Sequence, residues 1–328
     1  MDLWLLILYA LFLLLVISVA SEFLAKGAVI LEHRFGSGFV GSVILGFVTM
    51  LPELIFVLVA INAGEVDIAV GSAVCGNILL FTIGYGFVII LAYVKHKEII
   101  TLKPTMRDDL WYLIISALYL LIASLDFELT LFDGIVLSLM YFVFVIHQLI
   151  ESKKLGETGQ THEISRKKWL RSGSFMLFGA IAIVIAAEPF VHNITDISVE
   201  VGVSALILAL IVSPFASEMP EKISAFILTK RSMVGAEMAI ANFIGSKVQA
   251  GTLLFGSMIL LHIFLPNGHD SLIVSNAMLQ IFFAVFTTIV GVAITYDLKL
   301  KLKEGILVLV LYVITLAVML INESFSLM

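Results

Sequence analysis

Charge is scarce in this chain: 13% of its 328 residues are charged, whereas 61% are hydrophobic. A soluble domain carries about a quarter charged residues and about half apolar ones. Prolines are also few, at six, and long apolar runs are frequent. This composition argues against a water-soluble fold and indicates transmembrane helices, which satisfy their own backbone hydrogen bonds in lipid.

Cysteine and the common catalytic motifs are nearly missing as well. The one cysteine, Cys75, lies within an apolar stretch, which excludes a disulfide framework or a thiolate metal cluster. No Walker A, His-Glu-x-x-His or Ser/His/Asp pattern occurs, which argues against a hydrolytic enzyme. No basic, aromatic-rich surface remains for nucleic acid. We expect neither a resident cofactor nor an obligatory protein partner.

Ten apolar runs have the roughly 20 residues that a spanning helix needs. They cover residues 3–30, 37–62, 68–94, 109–125, 130–150, 171–191, 199–228, 233–262, 271–295 and 304–323. The first run lacks a basic start and a small-residue cleavage site, so it is interpreted as a retained helix rather than a signal peptide.

The basic residues indicate which loops face the cytoplasm. Most of the 19 Lys and Arg residues fall in alternate loops, and the intervening loops carry acidic residues such as Asp67, Asp126 and Asp270. Basic loops stay on the cytoplasmic side, so both termini are expected outside the cell. The composition predicts a multi-pass protein of a prokaryotic plasma membrane.

Similar short segments recur at a nearly constant separation along the chain, which predicts an internal repeat. FVTMLPELI (47–55) recurs as FASEMPEKI (215–223), and DGIVLSLMY (133–141) recurs as EGILVLVLY (304–312). We predict an all-α membrane protein of ten transmembrane helices in two repeats of five, residues 1–151 and 171–328, joined by a cytoplasmic linker at 152–170. Because each repeat has an odd number of helices, the second repeat crosses the membrane in the opposite orientation to the first. Inverted repeats of this kind are typical of secondary transporters.

Two glutamates occupy equivalent places in the second helix of each repeat. Glu53 and Glu221 each follow a proline directly, and acidic side chains inside a span commonly mark an ion pathway. The alternative, that each Pro-Glu pair only kinks a helix end, does not explain its duplication at mid-span.

The prolines add neutral oxygen ligands to these carboxylates. Proline has no N–H to donate to the residue four positions earlier, so Pro52 and Pro220 release the carbonyls of Val48 and Ala216. Two carboxylates and several neutral oxygens suit Ca²⁺, which takes six to eight oxygen ligands.

The third helix of each repeat is rich in small and polar residues. GSAVCGNILL (71–80) and ANFIGSKVQAG (241–251) contain glycines that permit close helix packing. Asn77 and Gln249 offer amide oxygens, and we favour a role at or beside the ion because a buried amide needs a partner.

These motifs resemble the cation/Ca²⁺ antiporter superfamily, which includes sodium/calcium and proton/calcium exchangers. The resemblance rests on TMLPEL (49–54), SEMPEK (217–222) and DFELTLFDGIVL (126–137). It implies alternating access, in which the first helix of each half slides past an eight-helix core. It also implies paired cation ligands at Glu53 and Glu221, assisted by the polar residues before each proline: Thr49, Ser217 and Glu218.

Departures from the sodium exchangers point to protons as the coupling ion. Leu80, Ala250 and Met50 stand where sodium exchangers carry an oxygen-bearing side chain. Gly-Asn at 76–77 and Gly-Ser-x-x-Gln at 245–249 are similar to the proton/calcium branch, although its Gly-Asn-x-x-Glu segment is missing. The prediction is therefore antiport of Ca²⁺, or a similar divalent cation, in exchange for protons. The alternatives are Na⁺/Ca²⁺ exchange on the same scaffold, and a channel or membrane sensor.

Four further ionisable residues lie within or near the spans. Lys222 is expected to snorkel or to form an ion pair outside the site. For Lys247 a place inside the site and one outside it both stay open, because a lysine beside the site would repel a divalent cation. Glu22 and Glu188, on the sliding helices, are expected to gate or to bridge helices.

Overall fold

A computed structural model of the chain describes residues 3–35, 46–154, 165–209, 212, 219–265 and 269–326. These residues are mostly helical. The helices are α1 (Leu3–Phe35), α2 (Gly46–Asn62), α3 (Val66–Leu79), α4 (Tyr85–His96), α5 (Met106–Ala123), α6 (Leu131–Lys154), α7 (Arg166–Val201), α8 (Met219–Arg231), α9 (Met233–Gln249), α10 (Phe255–Phe264), α11 (Met278–Thr295) and α12 (Leu302–Ser326). The short strands are β1 (Ile100–Thr101), β2 (Glu128–Thr130), β3 (Ser271–Ile273) and β4 (Lys299–Leu300).

Seven helical stretches among the described residues are long and apolar enough to cross a membrane. Two of them are composite: α3 continues into α4, and α9 into α10, through five-residue π turns at Leu80–Gly84 and Ala250–Leu254. Large apolar side chains such as Trp4, Phe132 and Val313 are exposed on the outer helices. A lipid environment accounts for that exposure, and the protein is an integral, multi-pass membrane protein.

The two composite helices lie in the interior. In the most apolar 18-residue stretch of α3–α4, 78% of the residues are buried, compared with 28% in the same kind of stretch in α1 and 22% in α12. Helix α9 packs against α2, α5 and α8, while α3 packs against α2 and α11. The polar residues Asn77, Ser246 and Gln249 of the composite helices are accordingly buried against other helices.

Helices α1 and α7 form a long antiparallel pair. Near one end, Asn193 Nδ2 donates a hydrogen bond of 2.8 Å to the carbonyl of Leu6. Towards the other end, the ring of Phe23 makes edge contacts with Phe175 and Phe178 at centroid distances of 5.5 and 5.3 Å. The pair also contacts α2, so it lies beside the helix that carries Glu53.

The predicted break after residue 191 is wrong. Helix α7 continues without interruption to Val201, so residues 192–198, which separate two of the predicted spans, are helical. Apolar residues at helical spacing, Ile194 and Ile197, remain buried in this extension, which favours continued helix. The helix ends at Gly202, whose left-handed φ of 71° suits a residue without a side chain.

Two short antiparallel ladders connect loops that are far apart in sequence. Strand β1 pairs with β4, and β2 pairs with β3. Each ladder is extended by one further main-chain hydrogen bond of 2.9 Å, from Leu102 N to Leu298 O and from Val274 N to Phe127 O. Phe127 and Leu298 both have positive φ, at 67° and 62°.

Candidate cation-binding site

Glu221 lies in the first turn of α8 and is 5% exposed. Its Oε1 accepts a 2.6 Å hydrogen bond from Ser246 Oγ and a 3.0 Å bond from Asn242 Nδ2. The two donors are four residues apart on α9, so they share one face of that helix. Two donors to one oxygen fix the orientation of the Glu221 carboxyl group.

Glu53 lies inside α2 and is also 5% exposed. The helix continues through Pro52, which cannot donate a backbone hydrogen bond to the carbonyl of Val48 one turn earlier. Helix α2 packs directly against α9. The helix that carries Glu53 is thus adjacent to the helix whose side chains bind Glu221.

Lys247 is buried between the two composite helices, with 1% of its surface exposed. Its ammonium donates a hydrogen bond to the main-chain carbonyl of Asn77 and lies 4.8 Å from the centre of the Phe81 ring. The Asn77 side-chain amide donates to the carbonyl of Ala73 at 3.1 Å. Lys247 therefore lies in the interior of the protein, between the two composite helices.

The π turns follow the polar segments of both composite helices. Gln249 is fully buried and directly precedes the second turn. Within the turns, Thr82 Oγ1 donates to Ile78 O at 2.6 Å and Thr252 Oγ1 donates to Val248 O at 2.5 Å. Such turns often occur at functional sites, and here they adjoin Asn77 and Gln249.

The remaining predicted site residues are less informative. Glu22 is half exposed and pairs with Lys26, on the same helix, at 2.8 Å. Glu188 is exposed on α7, and Lys222 is half-buried beside Glu221. For Val48 and Thr49 only the main chain of α2 is described, and three predicted ligands lie outside the described residues: Ala216, Ser217 and Glu218.

Asn242 and Ser246 are contacts of Glu221 that the sequence motifs did not indicate. Ser246 belongs to the Gly-Ser-x-x-Gln segment, but no role followed from that pattern, and Asn242 received none. Their spacing of four residues on a helix full of small residues is the signal that could have indicated a shared polar face.

Comparison with known proteins covers almost the whole chain. Residues 5–150 and 172–321 match the sodium/calcium exchanger protein family. An uncharacterized membrane protein of Methanocaldococcus jannaschii is 23% identical over 313 residues, which is 94% of this chain and 96% of that protein.

Two solved structures show the same fold. An H⁺/Ca²⁺ exchanger, CAX, has a TM-score of 0.81 at 21% identity, over 95% of this chain and 82% of that chain. The sodium-calcium exchanger NCX_Mj has a TM-score of 0.65 at 20% identity, over 95% of this chain and 98% of that chain. The match to the family covers both halves of the sequence and confirms the superfamily predicted from the Pro-Glu motifs. The chain belongs to the sodium/calcium exchanger protein family.

Proposed function

We propose that the protein is a secondary antiporter that exchanges Ca²⁺, or a similar divalent cation, for protons by alternating access. The observation that carries the proposal is the pair of buried carboxylates: Glu221, held by Ser246 and Asn242, and Glu53 on the adjacent α2. An ionised carboxylate inside a membrane protein needs a compensating positive charge.

A divalent cation and protons can each supply that charge. Ca²⁺ prefers six to eight oxygens, and carboxylates, the Val48 carbonyl and the amides of Asn77 and Gln249 are oxygens of the required kind. When the cation leaves, protons can neutralise the same carboxylates. Competition for one set of groups couples the two fluxes without a second ion site.

Correspondences between the two halves support ten helices in two inverted repeats. The π turns begin at Leu80 and Ala250, each directly after the polar segment of its half. The positive-φ residues Phe127 and Leu298 each adjoin one of the two strand ladders. Both strand pairs join one half to the other, as expected for repeats that form one site where they meet.

The antiparallel α1–α7 pair suits the sliding element of such a transporter. It contains the first helix of each half, and it contacts α2 while most of its own apolar surface is exposed. A helix pair that faces lipid on one side can shift along its inner contacts at smaller cost than a fully enclosed one.

Na⁺-coupled exchange is the second candidate. It is favoured by the family match and by the fold similarity to a sodium-calcium exchanger. Against it stand Met50, Leu80 and Ala250, which carry no side-chain oxygen and are all at most 3% exposed.

Uptake of isotopic Ca²⁺ into proteoliposomes tests the proposal. Uptake is compared under an imposed pH gradient, an imposed Na⁺ gradient and neither, with membrane potential clamped in all three. Proton-coupled exchange predicts uptake that follows the pH gradient and an apparent Ca²⁺ affinity that falls at lower pH. Uptake that follows only the Na⁺ gradient would show Na⁺-coupled exchange, the second candidate. Equal uptake without any gradient would indicate a channel.

A further inference from the structure

Three side chains that can ligate a metal ion lie together at one end of helices α5 and α6. Asp108 lies in the first turn of α5, and His147 and Glu151 lie in the last two turns of α6. One ligand atom from each, a ring nitrogen and two carboxylate oxygens, lies within 4.8 Å of the other two. The adjoining loops carry basic residues and are therefore predicted to be cytoplasmic.

The distances within this group leave room for an ion. His147 Nε2 lies 3.7 Å from Asp108 Oδ2 and 3.8 Å from Glu151 Oε2, whereas an N–H···O hydrogen bond has a length of about 3.2 Å or less. Two ligands of a tetrahedral metal ion, with bonds of about 2.0–2.2 Å, lie roughly 3.3–3.6 Å apart. The nitrogen is thus too far from either carboxylate for a hydrogen bond and close to the spacing that one ion imposes.

The imidazole of His147 makes no hydrogen bond with the described residues at either nitrogen. Its Nδ1 is buried without a partner there, and its Nε2 faces two carboxylates beyond hydrogen-bonding distance. A buried polar atom without a partner raises the free energy of the folded state. A metal ion bound at Nε2 offsets this cost and also removes the repulsion between the two carboxylates.

Neighbouring contacts between α5 and α6 position the ligands. The ring of Tyr112, one turn after Asp108, lies 5.5 Å from the His147 ring. Asp109, which is 6% exposed, accepts a hydrogen bond from Gln148. Each contact involves a residue next to a ligand or the ligand itself, so binding an ion immobilises few further side chains.

The mixture of nitrogen and oxygen ligands favours a transition metal. Imidazole suits Zn²⁺ and its neighbours in the first transition series, whereas Ca²⁺ and Mg²⁺ take oxygen ligands. One imidazole and two carboxylates match the charge of Zn²⁺ and leave one tetrahedral position for water.

We propose that Asp108, His147 and Glu151 form a binding site for a divalent transition-metal ion such as Zn²⁺. The bound ion bridges the beginning of α5 and the end of α6 and stabilises their packing. The site uses none of the residues assigned to the proposed transport site, so it goes beyond the antiport and does not depend on it.

Three conservative substitutions each remove one ligand: Asp108→Asn, His147→Gln and Glu151→Gln. The Asp108 side chain is half exposed, so Asp108→Asn should fold normally. His192→Gln is the matched control. His192 Nδ1 also lies 3.7 Å from a carboxylate, that of Glu65, but the pair has no third metal-ligating side chain beside it among the described residues.

The readout is the Tm of each purified, untagged full-length protein in detergent, titrated with ZnCl₂ in saturating CaCl₂. An ion that binds only the folded state raises Tm by mass action. We expect wild type and His192→Gln to gain about 2–4 °C at Zn²⁺ concentrations tenfold to 100-fold above the dissociation constant. Isothermal titration should show that each ligand variant binds Zn²⁺ at least about tenfold more weakly.

Three outcomes would overturn the proposal. No response of wild type to Zn²⁺ would show that the three side chains form an ion-pair network only. Equal Zn²⁺ responses of wild type and the ligand variants would show an adventitious ion only. A loss in His192→Gln as large as in the ligand variants would place the ion elsewhere.

Two features of the assay keep its result clear. If His147→Gln or Glu151→Gln does not fold, the comparison of Asp108→Asn with wild type decides the outcome. Because saturating Ca²⁺ occupies the proposed transport site and no transport is measured, failure of the Zn²⁺ site is distinguishable from failure of the proposed antiport.

Discussion

The polar segments of α3 and α9 correspond in position and differ in chemistry. Asn77 and Lys247 each lie three residues before a π turn, yet one is neutral and the other charged. On α9, Ser246 and Asn242 both bind Glu221. The corresponding positions on α3 are Gly76, which has no side chain, and Ser72.

The difference shows that two segments at corresponding positions make different polar contacts. The Ser72 hydroxyl has no hydrogen-bond partner among the described residues, whereas Glu221 is held by two side chains. A buried polar group without a partner raises the free energy of the folded state. Two side chains of α9 therefore orient Glu221, whereas Ser72 on α3 makes no comparable bond among the described residues.

The largest expected effect tests whether both halves are essential. Glu53→Gln and Glu221→Gln should each reduce Ca²⁺ transport by at least about 100-fold, because in the proposed mechanism each removes one of the two charges that bind the ion. Isotopic uptake into proteoliposomes measures the loss. Glu98→Gln, at an exposed loop position, is the control and should transport normally. Near-normal exchange in either buried variant would remove that residue from the mechanism.

Corresponding loops of inverted repeats should face opposite sides of the membrane. Glu98 precedes β1, and Asp270 precedes β3. In a Cys75→Ala background, Glu98→Cys should react with an impermeant thiol reagent only from the cytoplasm, and Asp270→Cys only from outside, because basic loops stay inside.

Gln160→Cys, in the 152–170 linker, should behave like Glu98→Cys. Labelling of intact cells and of inverted vesicles measures the accessible side. Reaction of position 160 in intact cells would contradict the predicted sidedness of the linker and of both termini.

An effect of intermediate size on divalent-cation affinity is expected when the serine hydroxyl groups of the polar segments on α3 and α9 are removed. Ser246→Ala removes the 2.6 Å donor to Glu221 and should weaken divalent affinity about tenfold, because groups that orient a metal ligand contribute about 10–100-fold. Ser72→Ala, on α3, should change affinity little. The concentration dependence of Ca²⁺ uptake reports both values, and equal losses in the two variants would show that the site is symmetric after all.

The smallest effect concerns two aspartates in corresponding loops. Asp297 Oδ1 accepts a bond from Lys299 N at 2.9 Å, and Asp126 Oδ1 accepts one from Glu128 N at 3.3 Å. The Lys299 N–H, helped by Lys301, holds the pKa of Asp297 below its usual value of 3.8. A lowered folded-state pKa stabilises the protein above the usual pKa, and the stabilisation is lost as pH falls through the lowered value.

Asp297→Asn should therefore lower Tm slightly at neutral pH, and the difference from wild type should vanish on acidification below the usual carboxyl range. Asp126→Asn, with the longer hydrogen bond, should lower Tm less. Thermal unfolding in detergent across pH measures both. A Tm difference for Asp297→Asn that persists unchanged in acid would contradict the role of its charge.

The sequence by itself determined the membrane fold and the family, and it identified Glu53 and Glu221 as candidate ligands. Hydropathy and the placement of Lys and Arg are local properties of the chain, and each Pro-Glu motif is readable within a few residues. The roles of these residues as ligands, and the ten-helix inverted repeat, stay predictions that the experiments above address.

Only the tertiary structure decided which side chains meet. The contacts of Asn242 and Ser246 with Glu221 depend on how α8 packs against α9, and the contact of Lys247 with Asn77 joins one half of the chain to the other. A buried lysine can turn toward a carboxylate, a carbonyl or lipid headgroups with the same sequence around it. The choice depends on which oxygens and rings neighbouring helices bring within hydrogen-bonding distance, and that is a property of packing rather than of chain order.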